Sequence, residues 1–312
     1  MKGRTALFAG GIVLVLLLGF AAPKFVGNAY YFYAGYVVLQ YVAIATAWNI
    51  LGGYAGYINF GAAAFFGAGV YTAAGLFKAF GAPIPVQIAA AFAVGSLLGL
   101  AAGYLTLRVQ GVYFAIATLA LVVVLETVVH NVPFFGGARG IPILSPPPPA
   151  WFGGPTQWIF AVMLVVALAA VAAAFAIEHS WVGRGLRALR ASEPAAECAG
   201  VPTLALKLAA CAVSGGFLAA AGAPYPTYAS FVEPNAAFSL VLALNAIAMP
   251  LIGGTRSWMG PVIGAVLLGT IQQLATVTIS SEINILVVGL VLIGFVAAAP
   301  EGLLGLARKS RA

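Results

Sequence analysis

The apolar positions of this chain do not alternate with polar ones; they run together. Ten stretches of 16–23 residues, almost free of charge, are separated by breaks most of which contain Gly, Pro or Arg. A helix needs about 20 mostly apolar residues to cross a bilayer. The pattern therefore predicts spanning helices over 5–22, 30–51, 57–78, 85–107, 111–131, 156–178, 203–224, 238–253, 259–279 and 284–299. Two segments stand apart. Residues 132–155 are rich in Pro and Gly, with an unbroken run from Pro146 to Pro149. Proline cannot donate to a helix ladder, so a stiff extended connection is expected there. Residues 179–202 hold five of the 21 Lys, Arg and Glu side chains, a concentration that points to a docking surface. The whole of 1–312 reads as a single transmembrane domain of all-α, polytopic class.

Composition makes the membrane reading firm. Hydrophobic residues make up 63% of the chain and charged ones 7%, against roughly 25% charged in soluble domains. So few charges cannot cover a water-facing surface, and the bilayer must be the solvent. The net charge of +7 raises nucleic acid as a partner. The basic residues are spread over many loops, so no nucleic-acid groove is indicated. Their placement instead sets an orientation. With the N-terminus inside, the inner loops hold eleven Lys and Arg and the outer loops three, Lys24, Lys78 and Arg139. The positive-inside rule then puts both termini in the cytoplasm. Lys2 and Arg4 before an apolar run that ends near Pro23 also fit a signal peptide. The run is long for one, which favours a retained helix. The two cysteines, Cys198 and Cys211, show no metal or redox spacing and read as free thiols.

The 179–202 loop has local order written into it. Arg184, Arg187 and Arg190 recur every three residues, while Leu186 and Leu189 fall on another face. Ser192 suits an N-cap, Glu193 the first turn and Pro194 the early positions whose N–H groups lack partners. Gly200 can close the helix and Pro202 stops it. A short capped amphipathic helix outside the membrane is one reading; a solvated loop at the headgroups is the other.

Glu193, Ala195, Ala196, Glu197 and Gly200 resemble the E-A-A…G signature of ABC importer membrane subunits. The wider string resembles LivM-type permeases of branched-chain amino acid importers. It runs through Ser180, Gly183, Arg184, Leu186, Ala188, Leu189, Arg190, Glu193, Ala195, Ala196, Glu197, Gly200, Lys207 and Leu208. A second match covers Asn49, Leu51, Gly53, Tyr54, Gly56, Gly61, Phe65, Phe66, Gly67, Gly69 and Tyr71. A third runs from Leu107 to Leu119, and a fourth includes Pro234, Gly253, Gly254, Gly260, Pro261 and Gly264. This sequence departs from the family at Tyr57, Asn59 and Ala62, where Gln, Ser and His are common, and at Arg256, usually Gly. The resemblance implies an ABC importer permease fold in which the 179–202 loop forms a coupling helix against an ATPase. It also implies a second permease subunit, two ATPase subunits and an extracytoplasmic substrate-binding protein. The implied cargo is a branched-chain amino acid; related permeases carry urea or short amides. ATP and Mg would sit on the ATPase subunits, and this chain, which lacks a G-x-x-x-x-G-K-[ST] loop, would bind no cofactor or metal.

Polar residues inside membranes are candidate pathway or gate groups. Here they are Asn49, Tyr54, Asn59 and Glu126, the last with His130 at i+4. The alternative reading of Asn49, Asn59, Asn245 and Gln40 is interhelical hydrogen bonding. For Glu126 it is an interfacial carboxylate bonded to His130 or headgroup water. Gly52-Gly53 permits a tight turn, and Gly53, Gly56, Gly61, Gly253, Gly254 and Gly260 permit close helix packing. Gly52-Gly53 and Gly253-Gly254 both sit at inner turns, as if helices two and three repeated in eight and nine. Tyr30, Tyr31, Tyr33, Trp151 and Trp158 fit an outer aromatic belt. A secondary transporter or channel would couple to ions through buried carboxylates. With no Asp and one main intramembrane acid, that class is poorly supported. No Ser/His/Asp set, metal cluster or paired acids appear for an enzyme.

Overall fold

The computed structural model describes residues 2–25, 28–106, 112–143, 148, 153–278, 289–290, 294 and 302–309. The long helices are α1 (Lys2–Phe25), α2 (Ala29–Asn49), α3 (Ala62–Phe80), α4 (Ile84–Thr106), α5 (Val112–Asn131) and α6 (Pro155–His179). Two short helices, α7 (Trp181–Ala191) and α8 (Glu193–Cys198), precede α9 (Thr203–Gly222). After two more short pieces, α10 (Tyr225–Ala229) and α11 (Pro234–Ala237), come α12 (Leu240–Gly253), α13 (Met259–Thr278) and α14 (Gly302–Lys309). Among the described residues nine helices are long and apolar enough to cross a membrane. The chain is thus an all-α polytopic membrane protein, the architecture that satisfies backbone groups without water. The tenth expected helix, 284–299, lies largely outside the described residues, as does most of the proline run. Gly302 packs directly on Gly254, so α14 begins beside the turn from which α13 departs.

The core is built around α2, which packs against α6, α9, α12 and α13. Its second half, from Val42 to Asn49, is buried on every side, so it reads as apolar all round rather than as a stripe. The most extensive helix pairing joins α4 to α9. Gly95 and Gly215 face each other, and a β-carbon on either would meet the other's carbonyl oxygen. Small residues give two helices close contact where no hydrophobic force drives them together in lipid. The first helix lies mostly exposed along α6. Phe8 stacks on Phe175 with centroids 3.8 Å apart and meets Trp258 edge-on.

Three sequence expectations need correction. The second helix does not stop at Gly52-Gly53. It continues as a π-helical turn over Ile50–Tyr54, and the chain reverses over 55–61 instead. The third helix accordingly begins at Ala62, not at residue 57. Gly56 breaks the helix at φ 82°, a left-handed backbone that favours glycine. The extended stretch is then held by bonds to its backbone. The Trp48 indole donates to Asn59 O (2.7 Å), Thr118 Oγ1 accepts from Phe60 N (3.1 Å), and Asn59 Oδ1 accepts from Gly61 N (2.7 Å). These contacts replace the ladder that irregular backbone lacks. Finally, the described part of the 132–155 connection is not simply extended. It forms 3-10 turns over Pro133–Phe135 and Gly137–Arg139, then a strand, β1 (Ile141–Pro142). This strand pairs antiparallel with β2 (Phe231–Val232). The pairing ties the 132–143 segment to the α10–α11 connection on the face opposite α7 and α8.

Candidate functional site

The face that carries α7 and α8 is the basic face, and most of the charged side chains gather there. Ser180 caps α7 by accepting from Gly183 N (3.3 Å). Ser192 caps α8 by accepting from Ala195 N (3.4 Å). Gly200, at φ 77°, closes α8 with its N–H donating to Glu197 O (2.9 Å), and Val201 N donates to Ala196 O (3.0 Å). Arg184, Arg187 and Arg190 are solvent-accessible, while Leu186 and Leu189 are buried. Both leucines enter a cluster formed by Ile50, Leu51 and Tyr54 of the π turn, Phe114 of α5, Ala174 of α6 and Leu206 of α9. Burying a leucine contributes roughly 1.5–3 kcal/mol, so two of them seat the helix firmly on the bundle. Ala196 is buried on the same side, and Ala195, Glu197, Cys198, Ala199 and Gly200 form the outer surface of α8.

Charged side chains then pin this seated unit. Glu193 accepts from Lys207 Nζ (2.5 Å) and from the Tyr57 hydroxyl (2.7 Å). Glu197 accepts from the Thr203 hydroxyl (2.7 Å). Arg190 donates to Gly53 O and to Thr255 Oγ1 (3.4 Å). Burial pushes the Glu193 carboxyl up, but the hydrogen bonds from Lys207 and Tyr57 and the Lys207 charge outweigh it. The net result holds the carboxyl below its ordinary value of 4.5. A depressed carboxylate contributes stability above its unfolded pKa and loses it as pH falls through the folded one. The seating of α8 is therefore expected to stay constant from about pH 8 to about pH 5 and to weaken only in stronger acid. An environment-sensitive dye on exposed Cys198 can report this, because Cys211 is buried. A midpoint between pH 6 and pH 7 would contradict it.

One member of this site escaped the sequence reading. Glu178, in the last turn of α6, accepts from the Tyr54 hydroxyl (3.3 Å) and from Trp258 N (2.6 Å), while Arg187 donates to its backbone oxygen (3.2 Å). An acid at a helix C-terminus opposes the helix dipole. That misplacement was the available signal that Glu178 has partners elsewhere.

The remaining candidates divide. Tyr54, Gly53 and Gly56 join the basic-face site, where the Gly56 backbone lies against the stem of Arg190. Asn59 and Gly61 hold the 55–61 reversal together. Asn49 is buried beside Gly53, and its amide has no partner in hydrogen-bond geometry among the described residues. Gln272 donates to Asn245 Oδ1 (3.1 Å) and Gln40 donates to Ala221 O (3.4 Å), so these two do bond between helices. Gly253, Gly254 and Gly260 bring α12 and α13 into backbone contact. Glu126 stands apart, 12 residues along α5 from Phe114, or about 18 Å at the helical rise. It is partly exposed and 3.9 Å from His130. Among the described residues no three His, Cys, Asp or Glu side chains come together as a metal site.

Fold and site together define a multi-pass helical membrane protein with a capped amphipathic unit docked on its helix ends. Residues 30–296 match the family model described as branched-chain amino acid transport system / permease component. The chain belongs to that family. It is 25% identical over 299 residues to the high-affinity branched-chain amino acid transport system permease protein LivM of Salmonella typhimurium, covering 87% of this chain and 69% of that protein. To the protein of the same name in Escherichia coli it is 25% identical over 324 residues, covering 95% and 75%.

Proposed function

We propose that this chain is the transmembrane subunit of an ATP-binding-cassette importer and forms part of the pathway for a branched-chain amino acid. The observation that carries this reading is the α7–α8 unit. Its apolar face is seated in the bundle, its ends are capped, and its outer surface, Arg184 with Ala195, Glu197 and Gly200, is left exposed. Such a rigid knob suits a cleft on a partner that pushes it. The matching residues of the E-A-A…G signature and the names of the two relatives support the same assignment. In this reading the basic face is cytoplasmic, both termini lie there, and the membrane is the inner one. A second permease subunit, two ATPase subunits that bind ATP and Mg, and an extracytoplasmic binding protein complete the assembly. Glu126 remains a gate candidate near the opposite end of α5.

The cargo assignment rests on the relatives and not on the 57–62 departures. Tyr57 and Asn59 serve the basic-face joint, through Glu193 and through Gly61, so their identity says little about the cargo.

Glu197→Lys reverses a charge on the exposed surface of α8. It is expected to abolish copurification with the ATPase subunits while the variant chain still enters the membrane at its normal level. Retained copurification would contradict the assigned surface.

A further inference from the structure

Two segments on the basic face carry paired glycines, Gly52-Gly53 in the π turn that continues α2 and Gly253-Gly254 where α12 ends. They touch: a β-carbon on Gly53 would lie 2.8 Å from Thr255 O. Each turn is also held twice, by two side chains of opposite charge, Glu178 in the last turn of α6 and Arg190 in the last turn of α7. Glu178 takes the Tyr54 hydroxyl (3.3 Å) from the first turn and Trp258 N (2.6 Å) from the second. Arg190 gives one bond to Gly53 O in the first and one to Thr255 Oγ1 (3.4 Å) in the second. Gly53 O ends a helix, where carbonyls lack partners along the chain. Arg187 bonds the backbone oxygen of Glu178 (3.2 Å), which locks the α6–α7 corner itself.

We propose that Glu178 and Arg190 form a two-point latch that makes the α2–α3 and α12–α13 hairpins move as one with α7. A push on α8 that tilts α7 would carry both hairpins together, because neither turn can shift without breaking a charged hydrogen bond. Glu178 and Arg190 are thus positioning residues for coupling, not contacts to the cargo or to the ATPase. This inference rests on the importer reading above.

The test is the complete transporter in proteoliposomes, with cargo uptake and ATP hydrolysis measured on the same sample. A purely structural role changes how much complex assembles; a coupling role changes uptake per ATP hydrolysed. Arg190→Ala removes one of the two bonds that hold each turn and leaves the two that Glu178 accepts. Hydrogen bonds to charged groups are worth about 1.5–3 kcal/mol, so uptake per ATP is expected to fall about tenfold or more. Should that variant fail to assemble, Tyr54→Phe and Thr255→Val each delete one hydroxyl and leave Leu186 and Leu189 seated. Each is expected to lower the ratio by about fivefold. An unchanged ratio in both, with the unaltered complex active, overturns the latch alone. Absence of ATP-driven uptake by the unaltered complex overturns the importer reading, and the latch with it.

Discussion

Gly260→Val is expected to abolish the folded protein, whereas Gly11→Ala is expected to leave it intact. The two glycines look alike in the sequence, since both sit in apolar helices. In the structure a β-carbon on Gly260 would overlap the carbonyl of Gly254, while one on Gly253 would overlap Gly260 O and one on Gly264 Met249 O. All three neighbours are backbone, so no side-chain rotation can relieve the clash. Helices α12 and α13 would have to separate, and Gly302, which packs on Gly254, would move with them. Overpacking usually costs about 1–3 kcal/mol; here the obstacle is rigid and repeated, so the upper end or more is expected. Around Gly11 nothing lies within 4 Å, and alanine changes stability by no more than about 1 kcal/mol. Size-exclusion chromatography in detergent separates the outcomes. A single symmetric peak for Gly260→Val would show that the two helices do not meet as described.

The second large effect concerns Lys207. Its side chain is 6% exposed and that of Glu193 is 16% exposed, so the pair is largely removed from water. Lys207→Met would leave the Glu193 carboxylate without its ammonium partner while the Tyr57 hydroxyl still donates to it. Stranding one member of a buried pair costs about 3–5 kcal/mol. The cheapest response is for α8 to lift away, raising the open fraction about a hundredfold or more. Trypsin cleavage after Arg184, Arg187 and Arg190 should accelerate accordingly. Adding Glu193→Gln removes the stranded charge and keeps an acceptor for Tyr57, so the double variant should recover most of the protection. Equal cleavage in the single variant and the unaltered chain would mean that the ion pair does not seat α8.

Much of this fold was legible because lipid imposes a simple rule. A run of apolar residues long enough to cross the bilayer has few alternatives to a helix, so nine of the expected spans recur within a few residues. The caps at Ser192 and Gly200 and the inward leucines of α7 were equally readable, since they depend on residues close in sequence. The reversal after α2 was not. An apolar, glycine-rich stretch such as 50–61 is compatible with turn, helix or close packing. What selects among these is distant: Thr118 of α5 and Glu193 beyond α7 hold Phe60 and Tyr57 in place. Glu178 was missed for a related reason. As the last residue of an expected span it reads as an interfacial acid. Its importance comes from Tyr54 and Trp258, more than 75 positions away in either direction. Local chemistry thus gave the parts of the basic-face site, and long-range contacts decided which parts meet.

In the proposed reading this chain moves cargo only when a separate ATPase acts on the α7–α8 surface. The most direct measurement is uptake of radiolabelled leucine into proteoliposomes holding the chain with its copurified subunits and binding protein. The account predicts uptake that requires ATP at the α7–α8 face and binding protein at the other, and that is lost when the ATPase subunits are omitted. Uptake by this chain alone, driven by a proton or sodium gradient, would contradict it.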